Sequence, residues 1–286
     1  MTVAHDTTTR KIIAVTRGEA TSDGAGVKMT RLIGSRAQDP IDPFLMLDYF
    51  GSERAGDYIG GFPDHPHRGF ETVTYMLAGR MRHWDNHGHS GVIEPGDVQW
   101  MKAGRGLIHS EMPEQDEGLM RGFQLWINLP AAEKMAPPAY QEFKAAEIPV
   151  EQRDGARVKI VAGTGATGVE GPVRAPHVDA RYFDVELAPG GEFRQPLPEG
   201  HAAFFALYEG SASAPGQSGA LTLDALSLAA LGGGGEAALT GGPQGARALL
   251  LAARPLREPI AWGGPFVMNT RAELLQAYED YRQGKF

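Results

Sequence analysis

The sequence of 286 residues contains no cysteine. This excludes disulfide bonds, thiolate metal sites and cysteine nucleophiles, so only nitrogen and oxygen side-chain ligands remain for a metal ion. No run approaches the ~20 consecutive apolar residues of a membrane-spanning helix. The start of the chain, MTVAHDTTTRK, lacks the apolar segment of a secretory signal peptide. We therefore expect a cytoplasmic protein without a membrane anchor.

Positive charge is also scarce. The chain has 27 Lys and Arg against 35 Asp and Glu, which gives a net charge of −8. Such a field opposes phosphate binding, so we expect no direct contact with nucleic acid, whereas a protein partner remains compatible with it. The hydrophobic share of 42% suffices for a core, and the length favours two domains of about 100–150 residues each.

Glycine and proline are abundant, at 38 and 20 residues. They separate short runs rich in apolar, β-branched and aromatic residues, which predicts many short strands joined by tight turns. In residues 123–129 (FQLWINL), alternation places Phe123, Leu125, Ile127 and Leu129 on one face, typical of a half-buried strand. The other predicted strands lie at residues 44–50, 71–77, 98–101, 157–161, 181–187, 202–208, 221–230 and 246–252.

The predicted strands fall into two sets, which indicates an all-β protein with two barrels or sandwiches. Residues 131–156 are rich in alanine, proline and charge and are interpreted as a connector. We predict an N-terminal domain over residues 1–135, a C-terminal domain over 136–265, and a terminal helix over 266–286. The glycine run at 232–235 is interpreted as a flexible hairpin, because no lysine or helix follows it as in a phosphate loop.

The C-terminal segment changes to a helical period. Thr270 and Glu273 match a capping box, and Gly284 is placed to end the helix. Leu274, Ala277, Tyr278 and Tyr281 share one helical face, so we expect this helix to pack against a barrel.

Two histidine motifs carry the chemistry. In His65-Pro66-His67, an extended backbone would place both imidazoles on the same side, about 6.5–7 Å apart along the strand. His109-Ser110-Glu111 repeats this spacing with a histidine and a carboxylate. Facing each other inside a barrel, the two pairs would supply three nitrogens and one oxygen. This ligand set suits Fe(II), accepts Mn, Co, Ni, Cu or Zn, and leaves coordination positions open.

The other histidines are weaker candidates. His83, His87 and His89 flank or occupy a turn-rich stretch, DNHGHSG, and are interpreted mainly as solvated turn residues. Glu71, four residues after His67, is either a further ligand or a strand residue. The isolated histidines are interpreted as non-functional, namely His5, His177 and His201.

Several long motifs resemble the pirin family. They are DPFLMLDYFG, GFPDHPHRGFETVTYMLAGRMRHWDNHGHSG, PGDVQWMKAGRGLIHSEMP, GFQLWINLP and the C-terminal GPFVMNTRAELLQAYEDYRQGKF. The resemblance is dense over residues 42–130 and 264–286. It implies two cupin barrels of the double-stranded β-helix type (a bicupin), with iron in the N-terminal barrel and no metal in the other.

By the same resemblance, the ligands are His65, His67, His109 and Glu111, and Glu71 is not a ligand. The chain departs from the general cupin pattern at Lys102, where proline is usual, and in a longer spacing from Gly104 to His109. Pirins share both departures, which supports the narrower family.

The resemblance implies a quercetin 2,3-dioxygenase-like activity, in which O₂ opens a flavonol ring and carbon monoxide is released. Glu111 would accept the proton of the flavonol 3-hydroxyl group. Phe50, Phe62 and Trp126 are candidates for an aromatic pocket wall, and a place in the core is the alternative for each of them. The alternative is an iron-binding, redox-sensitive regulatory protein that modulates a transcription factor or a metabolic enzyme. We expect a monomer in either case.

Overall fold

The computed structural model describes residues 8–35 and 39–286, so His5 lies outside the described residues. Two compact units are present. The first unit consists of residues 19–147 and 256–286, and the second of residues 148–255 with the described part of residues 1–18. Each end of the chain thus belongs to the unit built mainly from the other half. The predicted domain limits at 135 and 265 follow the chain order and therefore differ from the limits of these two units.

The described residues are mostly β-strand, with one α-helix, α1 (Arg271–Arg282), and three 3₁₀ turns at Ala55–Asp57, Ala131–Glu133 and Ala145–Glu147. The strands are β1 (Ile12–Arg17), β2 (Glu19–Asp23), β3 (Val27–Ile33), β4 (Phe44–Ser52), β5 (Phe62–His67), β6 (Phe70–Ala78), β7 (Met81–Asp85), β8 (Ser90–Ile93), β9 (Val98–Lys102), β10 (Leu107–Pro113), β11 (Met120–Asn128), β12 (Ala139–Phe143), β13 (Val150–Arg153), β14 (Ala156–Ala162), β15 (Arg181–Leu187), β16 (Glu192–Pro196), β17 (Ala202–Gly216), β18 (Gly219–Asp224), β19 (Ser227–Leu231), β20 (Glu236–Ala253), β21 (Ala261–Gly263) and β22 (Phe266–Met268).

The first unit contains a seven-stranded sheet in the order β12-β9-β6-β11-β4-β3-β2 and a four-stranded sheet in the order β5-β10-β7-β8. One apolar cluster joins the two sheets, because Met29, Phe50 and Met76 of the larger sheet pack with Met81 and Ile93 of the smaller. The two sheets therefore face each other, as in a sandwich or barrel.

Strand β11 shows how the pattern works. Phe123, Leu125 and Ile127 are fully buried, as the alternation predicted. On the other face, Gln124 and Trp126 are only partly exposed and line an internal cavity rather than bulk solvent. Gln124 and Trp126 therefore lie on the face of β11 that lines this cavity.

The second unit is built on a nine-stranded sheet with the path β1-β19-β17-β20-β15-β14-β13; β16 pairs with β20 and β18 with β17. Its core is a cluster of alanine, leucine, valine and phenylalanine side chains from these strands. The N-terminal strand β1 joins this sheet by pairing with β19.

Three predictions for the second half of the chain need correction. Residues 221–230 form two strands, β18 and β19, because Leu226 adopts a φ of 60° that breaks the extended run. The glycine run at 232–235 does not close a hairpin, since β19 and β20 both pair with β17. The predicted connector, 131–156, contains strands β12 and β13.

The C-terminal helix is confirmed, but it spans only Arg271–Arg282 of the predicted range 266–286, because Phe266–Met268 form β22. Thr270 and Glu273 form both hydrogen bonds of the capping box, and Gly284 has a φ of 67°. Ala277 is fully buried. The ring centroids of Tyr278 and Tyr281 lie 4.9 and 6.2 Å from the ring centroid of Phe266 on β22. This helix of 12 residues is too short to cross a bilayer, and the described residues contain no other α-helix.

Candidate metal centre

Strands β5 and β10 bring the histidine motifs together. They are antiparallel neighbours, and the register pairs His109 directly with His65, while Leu107 pairs with His67. Directly paired residues of adjacent strands project from the same face, and so do residues i and i+2 of one strand. The three imidazoles therefore converge, with ring centroids 4.7 Å (His65–His67), 4.3 Å (His65–His109) and 5.0 Å (His67–His109) apart.

The three histidines have the features of metal ligands. Each offers a ring nitrogen within 4.8 Å of the others, and no other group of three or more such side chains occurs in residues 8–35 and 39–286. Nδ1 of His67 and both ring nitrogens of His109 are buried, with no hydrogen-bond partner among the described residues. Leaving such atoms unpaired costs about 1–3 kcal/mol each, so a cation bound through one nitrogen of each ring would relieve part of this penalty.

The protonation state also fits a metal. Burial, followed by the neighbouring His65, holds the pKa of His67 well below its usual value. Burial, followed by His67, His65 and His83, does the same to the pKa of His109. Both rings are therefore neutral near pH 7, as metal ligation requires. His65 directs Nδ1 at the carbonyl oxygen of Pro63, 2.8 Å away, which leaves its other ring nitrogen to face the cluster.

Glu111 lies beside the three histidines but is not part of the converging group. It is 3% exposed and lines the same cavity as His65 and His67. Its Oε1 accepts a hydrogen bond from the Thr74 hydroxyl at 2.7 Å, and its Oε2 lies 3.4 Å from Nε2 of Gln124. Thr74 and Gln124 thus fix the carboxylate in place at the cavity wall.

The C-terminal segment supports the strand that carries the ligands. Gly69 has a φ of 89°, and a Cβ there would lie 2.0 Å from the carbonyl oxygen of Val267, so only glycine admits this approach. Lys134 is buried and donates to the backbone oxygens of Gly69 (2.7 Å) and Val267 (2.8 Å) and to Oδ1 of Asn128 (2.5 Å). Arg68 donates to Asp280 of α1 at 2.8 Å.

A cavity of about 460 Å³ opens onto His65 and His67. This volume is in the range of small-molecule sites. The predicted aromatic wall is confirmed, since Phe50, Phe62 and Trp126 all line the cavity, and Trp262 adds a further ring. The Trp126 ring also meets His67 edge-on, with centroids 5.1 Å apart. A flat aromatic molecule would therefore fit next to His65 and His67.

The interpretation of His83 as a solvated turn residue is wrong. It lies on β7 and is 2% exposed, and its Nε2 lies 2.9 Å from Glu142. The solvated interpretation holds for His87 and His89, which are exposed in the turn after β7. His89 lies 3.0 Å from the buried Asp85.

Glu71 lies apart from the converging group. It accepts a hydrogen bond from Nε1 of Trp100 at 2.9 Å, and burial raises its pKa to about 7. His177 and His201 lie in the second unit, and neither belongs to a group of three metal-binding side chains among the described residues.

Sequence reasoning missed the residues that hold Glu111 and shape the cavity. Thr74 and Gln124 are cross-strand partners on β6 and β11, and both point inward. The sequence pattern that could have indicated them is a polar residue within a predicted strand whose other face is apolar. Trp262 and Pro265 reach the cavity from the C-terminal segment, which no local pattern indicates.

Comparisons with known proteins agree with the architecture. Two family descriptions match, Pirin over residues 26–127 and the pirin C-terminal cupin domain over residues 182–286. A pirin-like protein of Caulobacter vibrioides is 54% identical over 97% of this chain and 99% of its own length. A Pseudomonas aeruginosa protein, provisionally named quercetin 2,3-dioxygenase, is 48% identical over 96% of this chain and 97% of its own.

A crystal structure of quercetin 2,3-dioxygenase from Acinetobacter baumannii superimposes with a TM-score of 0.88, at 33% identity, over 98% of this chain and 99% of that one. The fold expected from the sequence, two cupin domains and a C-terminal helix, is confirmed by these matches. The chain belongs to the pirin family.

Proposed function

We propose that this protein is a metal-dependent dioxygenase that cleaves the central ring of a flavonol such as quercetin. The residues proposed as ligands are His65, His67, His109 and Glu111, and the proposed metal is Fe(II). Mn, Co, Ni, Cu and Zn suit the same nitrogen and oxygen donors. Both oxygen atoms of O₂ would enter the ring-opened product, and one ring carbon would leave as carbon monoxide.

One observation carries this proposal. Three imidazoles converge, His67 and His109 among them have buried ring nitrogens without a hydrogen-bond partner among the described residues, and His65 and His67 line an aromatic-walled cavity of about 460 Å³. A purely structural metal site is closed around its ion, whereas this one faces a space for a ligand. The names of the Pseudomonas and Acinetobacter relatives support the same reaction class.

The protein residues have separate roles in this proposal. Fe(II) bound at the histidines would supply Lewis acidity and the electrons that activate O₂. Glu111, held by Thr74 and Gln124, accepts the proton of the substrate 3-hydroxyl group. Phe62 and Trp126 hold the flat rings of the substrate and exclude water from the reacting face.

The test is O₂ uptake and carbon monoxide release with quercetin, using protein loaded with Fe(II) under anaerobic conditions. We expect one carbon monoxide per O₂ consumed, and no turnover in His67→Ala. His89→Ala is the matched control, because His89 is exposed in a turn outside the cavity. Full metal occupancy without turnover would refute the dioxygenase and favour the regulatory alternative.

A further inference from the structure

The cavity has a charged element besides the proposed metal ligands. On the neighbouring strands β3 and β4, Arg31 and Asp48 are paired in register. Nε and Nη2 of Arg31 donate to the two carboxylate oxygens of Asp48, at 2.8 and 2.7 Å. The Asp48 side chain is 2% exposed and the Arg31 side chain 23%. Both residues line the cavity.

Stabilisation of the fold does not by itself explain this buried ion pair. A buried pair gives little net stabilisation over apolar residues of the same size, because both charges must be removed from water. The hydrogen bonds that Arg31 donates to Asp48 raise the pKa of Arg31, so the guanidinium stays charged. Nε and Nη2 carry these hydrogen bonds to Asp48, so Nη1 is the nitrogen left for a ligand, and Arg31 lines the cavity. The pair therefore presents a fixed, oriented donor at the cavity surface.

The register places this donor at a defined distance from Glu111. Arg31, Asp48, Gln124 and Thr74 are consecutive cross-strand partners on β3, β4, β11 and β6. Gln124 and Thr74 contact Glu111, while Arg31 is two strands away from Gln124, or about 10 Å at ordinary strand spacing. A molecule with two ring systems can span this distance.

The charged side chains around Arg31 decide which substrate group can bind to its guanidinium. Asp48 and Asp23 both lie at this end of the cavity, with Asp23 3.8 Å from Nη2 of Arg31. Two carboxylates outweigh one guanidinium, so an anionic substrate group would be repelled there. A phenolic hydroxyl group, by contrast, can accept from Nη1 and donate to Asp23 at the same time.

We propose that Arg31, held by Asp48, forms a hydroxyl-recognition subsite that selects neutral aromatic substrates hydroxylated on the ring remote from the metal. This inference rests on the proposed function, since it takes the other end of the substrate to lie at the three histidines. It predicts that selectivity among flavonols depends on a residue that contacts neither the metal ligands nor the reacting ring.

The experiment measures equilibrium binding to Zn(II)-loaded protein, so that no turnover is needed. The probes are quercetin, 3-hydroxyflavone, which has only the 3-hydroxyl group, and a quercetin sulfonated on the remote ring. The variants are Arg31→Lys, which keeps the charge, and Arg31→Met/Asp48→Asn, which leaves no unpaired buried charge. Lys28→Met is the control, because Lys28 lies on the same strand but its side chain is 63% exposed.

We expect wild type and Lys28→Met to bind quercetin about tenfold or more tightly than 3-hydroxyflavone, as one charged hydrogen bond allows. The double variant should reduce this ratio to about one through weaker quercetin binding alone, and Arg31→Lys should give an intermediate ratio. The sulfonated probe should bind wild type more weakly than quercetin does.

An unchanged ratio in both variants would overturn the subsite while leaving the proposed function intact. Tighter binding of the sulfonated probe would overturn it as well. If wild type binds neither quercetin nor 3-hydroxyflavone, the proposed function fails and this inference fails with it.

Discussion

Glu71→Gln tests the electrostatics of the barrel interior. Glu71 is 7% exposed on β6, where it accepts a hydrogen bond from Trp100. Burial raises its pKa from 4.5 to about 7, although Trp100 and then Lys102 act in the opposite direction. The folded protein therefore binds this proton more tightly than the unfolded chain does.

The sign and size of the change in unfolding free energy follow from this difference in proton affinity. Protonation of Glu71 contributes stability that is complete below pH 4.5, the unfolded value, and is lost as the pH rises through 7. A pKa rise of this size corresponds to about 3 kcal/mol of unfolding free energy at neutral to alkaline pH. Glutamine keeps the acceptor oxygen for Trp100 and cannot ionise. The variant should therefore be about as stable as wild type near pH 4 and up to about 3 kcal/mol more stable near pH 8.

Urea denaturation over this pH range gives the free energy of unfolding of the variant and of wild type. The difference between the two values cancels the titration of all other groups. Glu94→Gln is the control, because the Glu94 side chain is half exposed. A stability difference for Glu71→Gln that does not change with pH would refute the account of a carboxyl buried at a cost.

Three further predictions concern the supports of the site and of the helix. Lys134→Met should lower the unfolding free energy by about 3–5 kcal/mol in urea denaturation, because it leaves three buried acceptors unpaired; a loss below 1 kcal/mol would contradict this. Thr74→Val should weaken metal binding or turnover by about 10–100-fold in competition titrations or rate assays, since Glu111 loses its 2.7 Å hydrogen bond; unchanged values would show that Thr74 does not position the carboxylate. Thr270→Ala should cost about 1 kcal/mol by removing the helix cap, and an unchanged thermal midpoint would contradict that contribution.

Local patterns were sufficient for strand β11 and for the histidine spacing. Alternation in β11 and the i, i+2 spacing of His65 and His67 depend only on the extended backbone, so both could be predicted from the sequence. The pairing of His65 with His109 depends on the register between β5 and β10, which local sequence does not encode. The family resemblance, rather than the pattern, joined the two motifs into one site.

Long-range contacts explain what was missed. His83 was assigned to solvent because of its turn-rich neighbours, yet it is buried and pairs with Glu142, 59 positions later. Residues 221–230 contain no glycine or proline, so the positive φ of Leu226 that divides them had no signal. The use of Arg31 and Asp48 as a cavity pair likewise follows only from the alignment of β3 with β4.

The most direct test of the central claim is metal stoichiometry after anaerobic loading with Fe(II) and desalting. The account predicts one metal ion per chain in wild type and in His89→Ala. It predicts a loss of most metal in His67→Ala and in Glu111→Ala, with unchanged circular dichroism. Full occupancy in a folded His67→Ala protein would contradict the assignment of the site and the function built on it.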